Sequence, residues 1–433
     1  MNERQIILEA LLLIEKGEDY GERIIKDVLD KYAYLDRQHR SFMKRVMEGC
    51  LEKKIELDYI IDRFSKTPTD RMKPVILCIL RMGVYQLKYM ETPQFAACSE
   101  AVKLAQKKGF ANLKGFVNGV LRTIAKNIKD IPYPDPEKDP ILHDSIVYSL
   151  PPFLVEHFRT NYPESADQIM EALNREALLC VRINRARTDE ESLVKKLAGQ
   201  AELTKLEPVS GLDRQETAYS LKGFDRLTDL KAFTDGDLIV QDQASMQAVA
   251  QLDLKDGDTV LDVCAAPGGK SMQAAERLCK LNSGKITACD ISERKVELIR
   301  ENAARCGFTQ IEAAVCDATV RSENYVNYAD VLIADLPCSG LGTIARKADI
   351  KYRMNASEME KLVQLQRQIL TNVSDYVKAG GTLLYSTCTI NPKENEKQAE
   401  WIGQNLPFTL VKMHQIFPSG SHDGFFFAIF EKR

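Results

Sequence analysis

The sequence predicts a multidomain protein in which an all-α N-terminal bundle and a small α+β module precede an α/β domain with a parallel sheet. Three observations predict this order. Apolar residues recur at helical intervals from Ile6 to Ile128, prolines cluster at 131–140, and apolar strands alternate with glycine turns and helices from about Gln241. The length of 433 residues also exceeds one ordinary core, since domains average about 150 residues.

Composition changes mark the predicted domain boundaries. The stretch IPYPDPEKDP has four prolines and several charges, which cannot bury a core and favour an extended spacer. After it, FLVEHFRTNY has the pattern of an amphipathic helix and LLCVRINRA that of a strand, which indicates a small mixed module. The predicted segments are a helical bundle (1–130), a proline-rich linker (131–144), an α+β module (145–235) and the α/β domain (236–433).

The composition excludes several protein classes. A hydrophobic content of 44% with 28% charged residues is typical of a globular protein, and no apolar run is long enough for a signal peptide or a membrane span. The eleven cysteines show no C-x-x-C spacing and the five histidines are scattered, which argues against a metal site and against a disulfide framework. We therefore expect a cytoplasmic protein without metal, and a monomer.

Basic charge concentrates in the N-terminal third of the chain. Residues 1–140 carry 25 Lys and Arg against 21 Asp and Glu, whereas the whole chain has a net charge of −3. No acidic residue lies between Lys103 and Lys129. Such a cluster predicts a phosphate-contacting surface, and a solvated helix face explains the charge equally well. The residues assigned to this candidate surface are Lys103, Lys107, Lys108, Lys114 and Arg122.

The stretch VLDVCAAPGGKS, residues 260–271, predicts a strand that runs into a ligand-binding glycine turn. A P-loop requires a glycine where Cys264 stands, and a dinucleotide-binding turn requires G-x-G-x-x-G. Asp290 follows Lys270 at the spacing of a carboxylate that binds ribose hydroxyls. The ligand class that remains is a nucleoside without a phosphate chain, such as S-adenosylmethionine, approached by backbone at Gly268 and Gly269. A tight turn without a ligand is the alternative.

Two later strands end in DLPCSG and YSTCTI, which predicts that Cys338 and Cys388 project into the same crevice. A thiolate that adds to carbon 6 of cytosine activates carbon 5 for attack on a methyl sulfonium, and a second group then assists release. Asp335 is placed to meet ring nitrogen 3. Lys270 either faces this site, to transfer a proton or orient charge, or caps the turn. Each cysteine taken singly also fits a buried packing role. A reactive base must be unpaired or splayed from its stack.

These motifs carry a family resemblance. CAAPGGK, DLPCSG and YSTCTI with the following NPKENE resemble the cytosine-5 RNA methyltransferases of the Nol/Nop/Sun group, as do QDQAS at 241–245 and DGFFFA at 423–428. ILRMGVYQL, ACSEAVKLA and KGFVNGVLR resemble the NusB-like RNA-binding domain that is fused to this catalytic domain in bacterial 16S ribosomal RNA methyltransferases. The resemblance covers nearly the whole chain and is weakest from 186 to 235. It implies a NusB-like bundle, an RNA-binding middle module and a Rossmann-like methyltransferase domain.

The resemblance also implies residue roles. The nucleophile falls on Cys388, and the cysteine that helps product release falls on Cys338. The sequence departs from the family at Leu336, where alanine is usual, and in ARKADIKYR at 345–353, whose basic character still assigns Arg346 to RNA. The implied contacts to S-adenosylmethionine are Cys264, Ala265, Ala266, Pro267, Gly268, Gly269, Lys270, Asp290, Asp317 and Asp335, the last of which also faces the target base.

The leading hypothesis is an rRNA-processing enzyme that methylates carbon 5 of a cytosine in 16S rRNA and releases S-adenosylhomocysteine. Its substrate is free 16S rRNA or a small-subunit assembly intermediate. A second hypothesis is a NusB-like RNA-binding or antitermination factor whose nucleotide domain has lost activity. The intact Asp335, Cys338 and Cys388 argue against it. A third, P-loop nucleotide hydrolysis, fails at Cys264.

Overall fold

The computed structural model describes residues 2–281 and 283–433. Its helices are α1 (Glu3–Lys16), α2 (Gly21–Lys31), α3 (Arg37–Glu52), α4 (Lys54–Phe64), α5 (Pro74–Tyr89), α6 (Gln94–Lys107), α7 (Lys114–Asn127), α8 (Pro140–Val147), α9 (Pro152–Asn161), α10 (Ala166–Ala172), α11 (Glu190–Leu197), α12 (Lys231–Thr234), α13 (Gln243–Ala250), α14 (Gly269–Leu281), α15 (Glu293–Cys306), α16 (Ile350–Arg353), α17 (Ala356–Val373) and α18 (Glu396–Asn405). Within the described ranges no helix combines the length and apolar character that crossing a membrane requires.

The strands form two sheets. They are β1 (Cys180–Ile183), β2 (Glu202–Lys205), β3 (Tyr219–Lys222), β4 (Leu238–Val240), β5 (Thr259–Asp262), β6 (Lys285–Asp290), β7 (Ile311–Val315), β8 (Ala329–Asp335), β9 (Val377–Thr387), β10 (Phe408–Ile416) and β11 (Phe425–Lys432). The first sheet has the order β2-β3-β1-β4, and the second has the order β10-β11-β9-β8-β5-β6-β7.

The chain divides into two compact units. One comprises Met1–Asn174 with Arg346–Arg353, and the other comprises Arg175–Ala345 with Met354–Arg433. The predicted fold class is confirmed, because a helical region, a small mixed module and a mostly parallel seven-stranded sheet follow one another. The helices α8 to α10 belong to the first unit, and α8 begins inside the predicted linker. The four segment boundaries drawn from the sequence stay predictions.

The helical unit forms because capped amphipathic helices share one core. Helix α1 begins with a capping box, in which Asn2 accepts a hydrogen bond from the backbone of Arg4 and Gln5 reaches back to the Asn2 backbone. It ends at Gly17, whose φ of 73° is the left-handed conformation that glycine adopts at least cost. Apolar side chains of α1 and of α3 to α7 are buried together, as the helical periodicity predicts.

A buried ion-pair cluster crosses this helical core. Arg81 in α5 is 5% exposed, and its guanidinium donates two hydrogen bonds, of 2.6 and 2.7 Å, to the carboxylate of Asp58. A third bond, of 3.0 Å, goes to Glu15, which also pairs with Lys54 at 2.8 Å. Burial is the largest effect on the pKa of Asp58 and raises it, against the lowering effect of Arg81. Arg81 therefore stabilises the negative charge of Asp58, which burial alone would disfavour.

We expect Arg81→Met to destabilise the helical unit by roughly 2–4 kcal/mol, because it leaves the half-buried Asp58 carboxylate without its partner. The measurement is urea denaturation of the full chain, followed by circular dichroism. Arg63→Met is the matched control, since Arg63 lies at an exposed position of α4, and we expect it to change the free energy of unfolding by less than about 0.5 kcal/mol. A loss below about 1 kcal/mol for Arg81→Met contradicts the prediction.

The segment Arg346–Arg353 packs against two helix ends of the same unit. The backbone N–H of Gly21, at the start of α2, donates to Asp349 at 2.9 Å. Lys351 donates to the carbonyl of Glu52 at the end of α3, at 2.7 Å. Lys351 is only 3% exposed, and burial lowers its pKa to about 7. Lys351 therefore does not contribute to the basic surface that the sequence predicts for RNA in this segment. Arg346, the residue assigned to RNA, is half-buried.

The small sheet and the large sheet belong to the second unit. Neighbouring strands of the small sheet are antiparallel, and Arg182 in its strand β1 is only 1% exposed. The guanidinium of Arg182 forms an ion pair with Glu276 of α14 at 2.5 Å and donates to the side chain of Gln241 at 3.0 Å. Gln241 in turn donates to Gln273 of α14 at 3.0 Å. The motif QDQAS thus begins with a residue that links β1 to the helix after the glycine turn.

The large sheet sets the position of the site. Strands β5 to β9 are parallel neighbours, and β11 is antiparallel to β9 and β10. Strand order reverses at β5, which lies between β8 and β6, and ligands of such sheets bind beyond the carboxyl ends at this point. The five parallel strands match the sequence prediction. The final antiparallel hairpin of β10 and β11 was not anticipated by it.

Candidate active site

The predicted cofactor turn joins β5 to α14 at the carboxyl edge of the large sheet. The backbone N–H of Ala265 donates to the carbonyl of Cys289 in β6, at 2.8 Å, and that of Gly268 donates to Ala265 at 2.6 Å. Gly268 has a φ of 103°, a conformation that a residue with a Cβ rarely adopts. The peptide between Ala266 and Pro267 is cis. The turn is therefore held against the end of β6.

Asp290 is the last residue of β6 and Asp317 lies two residues after β7, both at strand ends as the sequence predicts, but in different surroundings. Asp290 is 4% exposed and accepts hydrogen bonds from the backbone of Ala266 at 3.0 Å and of Ile291 at 2.8 Å. Asp317 is exposed, and two hydrogen bonds from Thr319 lower its pKa. The structure thus brings Asp290 directly against the cofactor turn, while Asp317 stands at the outer end of the edge.

Asp262, the last residue of β5, was quoted in the sequence motif but not assigned to the site. It is 1% exposed and accepts a hydrogen bond of 2.6 Å from Ser271 through one carboxylate oxygen. Among the described residues its other oxygen, Oδ1, has no hydrogen-bond partner. Burial raises the pKa of Asp262 to about 7. A cationic group bound at this edge would relieve the cost of the buried carboxylate.

Lys270 and Asp335 form an ion pair between the cofactor turn and the end of β8. The ammonium of Lys270 lies 2.6 Å from Asp335 Oδ2 and 4.9 Å from the centroid of the Phe425 ring. The hydroxyl of Ser386 in β9 donates to the other Asp335 oxygen at 2.8 Å. Of the two interpretations of Lys270, this geometry favours the one in which it orients charge within the site.

The two predicted thiols meet at the ends of β8 and β9. The Sγ atoms of Cys338 and Cys388 are 3.4 Å apart. Backbone hydrogen bonds join the loops that carry them, from Leu336 to Ser386 at 3.1 Å and from Gly342 to Cys388 at 3.2 Å. The pKa of Cys338 is raised well above its usual value. The largest cause is the hydrogen bond with Cys388, and the next is burial. Cys338 therefore holds its proton while Cys388 faces it.

Several residues of the site were quoted in motifs without being assigned a role. Ser386 and Phe425 contact the Lys270–Asp335 pair, and Glu394 of NPKENE is fully buried behind the thiol loops. Gly424 of DGFFFA donates to the carbonyl of Gly342 at 2.9 Å, and a Cβ on Gly342 would lie 2.1 Å from the Gly424 oxygen. Their positions within the motifs were the only indication of a role in the sequence, because the residues they contact lie far away along the chain.

The predicted basic surface lies on α6, α7 and the turn between them. Lys103, Lys107, Lys114 and Arg122 are exposed. Lys103 pairs with Glu100 at 2.6 Å, and the half-buried Lys108 pairs with Glu9 at 3.0 Å. Two of the lysines thus meet acids from outside their own acid-free stretch, so part of the local charge is neutralised. In the part of the chain that the structure describes, no cluster of His, Cys, Asp and Glu is arranged to hold a metal ion.

Comparison with known proteins gives three family matches along the chain. The model for the 16S rRNA methyltransferase RsmB/F matches residues 249–431, that for the NusB family matches 1–126, and that for an RsmF/B-like ferredoxin-like domain matches 150–209. The succession of matched domains agrees with the predicted order of a helical bundle, a mixed module and a methyltransferase domain.

Individual relatives match over most of their length. A probable ribosomal RNA small subunit methyltransferase B from Bacillus subtilis is 36% identical, over 91% of this chain and 86% of the relative. A ribosomal RNA small subunit methyltransferase B from Vibrio cholerae is 29% identical, over 100% and 98%. Among solved structures, PH0851 has a TM-score of 0.81 at 25% identity, covering 100% of this chain and 98% of its own. A methyltransferase homologue from Pyrococcus horikoshii has a TM-score of 0.58 at 25% identity, covering 68% and 99%.

Proposed function

Because the chain belongs to the RsmB/F family of S-adenosylmethionine-dependent 16S rRNA methyltransferases, we propose that it methylates carbon 5 of a cytosine through a covalent adduct with Cys388. The observation that carries this proposal is the 3.4 Å approach of the Cys338 and Cys388 sulfur atoms at adjacent strand ends. One thiol suffices to attack a pyrimidine. A second thiol at this distance fits a later step of the same reaction, in which a proton must be removed from the base.

The charge of the sheet edge supports S-adenosylmethionine as the methyl donor. Asp262, Asp290, Asp317 and Asp335 all lie at the carboxyl ends of the parallel strands, and Asp262 has an unpartnered buried oxygen among the described residues. Lys270 and Lys295 pair with two of these acids, so the edge stays acidic on balance, which disfavours a phosphate chain and favours a ligand that carries an ammonium and a sulfonium. When bound, this donor supplies a methyl group on a positively charged sulfur. Asp290 would hold its ribose hydroxyls beside the turn at Cys264–Lys270.

In the proposed reaction, Cys388 attacks the target base. Its thiolate forms a bond to carbon 6 of the cytosine, and the electron pair of the carbon 5–carbon 6 double bond moves to carbon 5, which then takes the methyl group. As Cys388 becomes a thiolate, its proton passes through the Asp335 carboxylate to ring nitrogen 3, and the Lys270–Asp335 pair stabilises the protonated ring that this shift of electrons requires.

Product release requires the second thiol. In the adduct the sulfur of Cys388 is a neutral thioether, so the effects of Cys388 that raise the pKa of Cys338 are removed. Cys338 then loses its proton to solvent and takes the proton from carbon 5. The electron pair of that carbon–hydrogen bond restores the double bond, and Cys388 leaves with the electrons of its bond to carbon 6. The proton on ring nitrogen 3 returns to the sulfur of Cys388, so the enzyme regains both thiol groups and the neutral base carries the methyl group.

We expect the purified full chain, with methyl-labelled S-adenosylmethionine and unmodified 16S rRNA, to produce 5-methylcytidine. Two readouts test the reaction. Digestion to nucleosides identifies the product, and rRNA carrying tritium on carbon 5 of cytidine releases it to water only when that carbon is substituted. Free 16S rRNA and small subunits from cells that lack this gene are assayed in parallel, since the substrate is one or the other. Label in another nucleoside contradicts the proposal, and binding of both RNAs without any label supports the non-catalytic hypothesis.

A further inference from the structure

A buried carboxylate lies directly behind the two thiol loops. Glu394 follows β9 in the motif NPKENE and is fully buried. Its oxygen Oε2 accepts hydrogen bonds from the backbone of Ser339 at 2.9 Å and from Gln366 at 3.0 Å. Its oxygen Oε1 accepts from the hydroxyl of Ser339 and from Asn391 at 2.8 Å. Two of these four bonds fix the residue that directly follows Cys338.

The same network reaches the second thiol loop. The hydroxyl of Ser339 lies 2.7 Å from the hydroxyl of Thr389, the residue directly after Cys388. Gln366 also donates to the carbonyl of Pro337, at 2.9 Å, on the other side of Cys338. Ser339, Thr389, Glu394 and Gln366 are each no more than 2% exposed, so the bonds among them are shielded from water. The positions of both thiols thus depend on one set of buried hydrogen bonds.

We propose that Glu394 is a positioning residue, which fixes the Cys338 loop against the Cys388 loop so that Cys338 reaches the proton of carbon 5 during product release. Among the described residues the Glu394 carboxylate forms no hydrogen bond with the cofactor turn or with the Lys270–Asp335 pair, so we expect its effect to be confined to the thiols. This inference rests on the proposed function, because it concerns the release step of that reaction.

The negative charge of Glu394 gives the proposal a second, electrostatic consequence. It is one of the causes that raise the pKa of Cys338, after Cys388 and burial. A neutral residue at this position lowers that pKa, so the release rate reaches its plateau at a lower pH. A purely structural role has no such effect, and Glu394→Asp, which keeps the charge, leaves the pH profile unchanged.

The test is the variant Glu394→Gln in the full chain. Both oxygens of Glu394 accept hydrogen bonds. In the glutamine variant one of them is replaced by an amide nitrogen, which is itself a donor, so the donors on that side of the cluster lose their acceptor. We expect turnover to fall roughly 10- to 100-fold, the result of a displaced catalytic group. We also expect the covalent protein–RNA adduct to accumulate, the affinity for S-adenosylhomocysteine to stay at the wild-type value, and the pH profile of release to shift downward. Glu400→Gln makes the same change at an exposed position of α18 and should behave as wild type.

Three results separate the outcomes. If a folded Glu394→Gln variant turns over and releases RNA as wild type does, or loses adduct formation and release equally, the positioning role is wrong. If Glu394→Gln does not fold, Ser339→Ala decides, because it removes the hydroxyl bonds to Glu394 and Thr389; adduct accumulation supports the role and wild-type release overturns it. If wild type makes no 5-methylcytidine and Cys338→Ala traps no adduct, the proposed function itself has failed.

Discussion

Replacing Cys388 with alanine is expected to lower the rate of methyl transfer by at least about 10⁴-fold, as removal of a nucleophile does in other covalent enzymes. The reason is chemical, because carbon 5 of cytosine becomes nucleophilic only after a thiolate has added to carbon 6. Cys338 lies 3.4 Å from Cys388, but in the proposed reaction it reaches the proton of carbon 5 and not carbon 6, and burial still raises its pKa in the variant, so it does not replace the missing thiolate. The measurement is single-turnover transfer of labelled methyl groups to 16S rRNA.

A matched control separates this effect from a general loss of cysteine. Cys279 in α14 is exposed and lies outside the two motifs that carry the thiol pair. Cys279→Ala should therefore keep the wild-type rate. RNA with 5-fluorocytidine gives an independent readout. Fluorine on carbon 5 does not leave as a cation, so wild type should stay covalently attached to this RNA while Cys388→Ala should not. Wild-type transfer by Cys388→Ala, or attachment of that variant to the fluorinated RNA, contradicts the assignment of the nucleophile.

The parts of the site that the sequence predicted are those with a local signal. Apolar strands that end in glycine turns or short polar motifs specify a parallel sheet, and the carboxyl ends of such strands meet at one edge. This reasoning brought Cys338 and Cys388 together across 50 residues of chain, and the 3.4 Å separation agrees with it. It also placed Asp290 beside the cofactor turn, because the spacing from strand to strand is nearly constant in doubly wound domains.

The parts that the sequence did not predict depend on partners that lie far apart in the chain. Nothing near Lys351 indicates that its ammonium is buried against the carbonyl of Glu52, almost 300 residues earlier. The charge pattern alone made it part of a basic loop. Likewise, the four donors around Glu394 come from three separate stretches, so a motif shows only that a carboxylate stands there. The β10–β11 hairpin was missed because DGFFFA, which overlaps β11, indicated only the family resemblance, and neither strand ends in a glycine turn of the parallel type.

Replacing Cys338 with alanine is expected to slow product release by about 10²- to 10⁴-fold, the usual contribution of a positioned acid–base group. Attack by Cys388 and methyl transfer need no proton from carbon 5, so both should still occur once per protein molecule. The variant should therefore accumulate as a covalent complex with 16S rRNA, visible as a shifted band on a denaturing gel. The methyl label should reach about one equivalent per protein and then stop.

The double variant Cys338→Ala, Cys388→Ala tests whether this trapped band arises from the proposed adduct. It should give no shifted band, because the sulfur that would be attached is gone. The release rate of wild type should rise with pH, since Cys338 acts as a base and burial still raises its pKa within the adduct. Full turnover by Cys338→Ala without a trapped band would show that another group removes the proton, and Asp335, which pairs with Lys270 at 2.6 Å, would then be the next residue to replace.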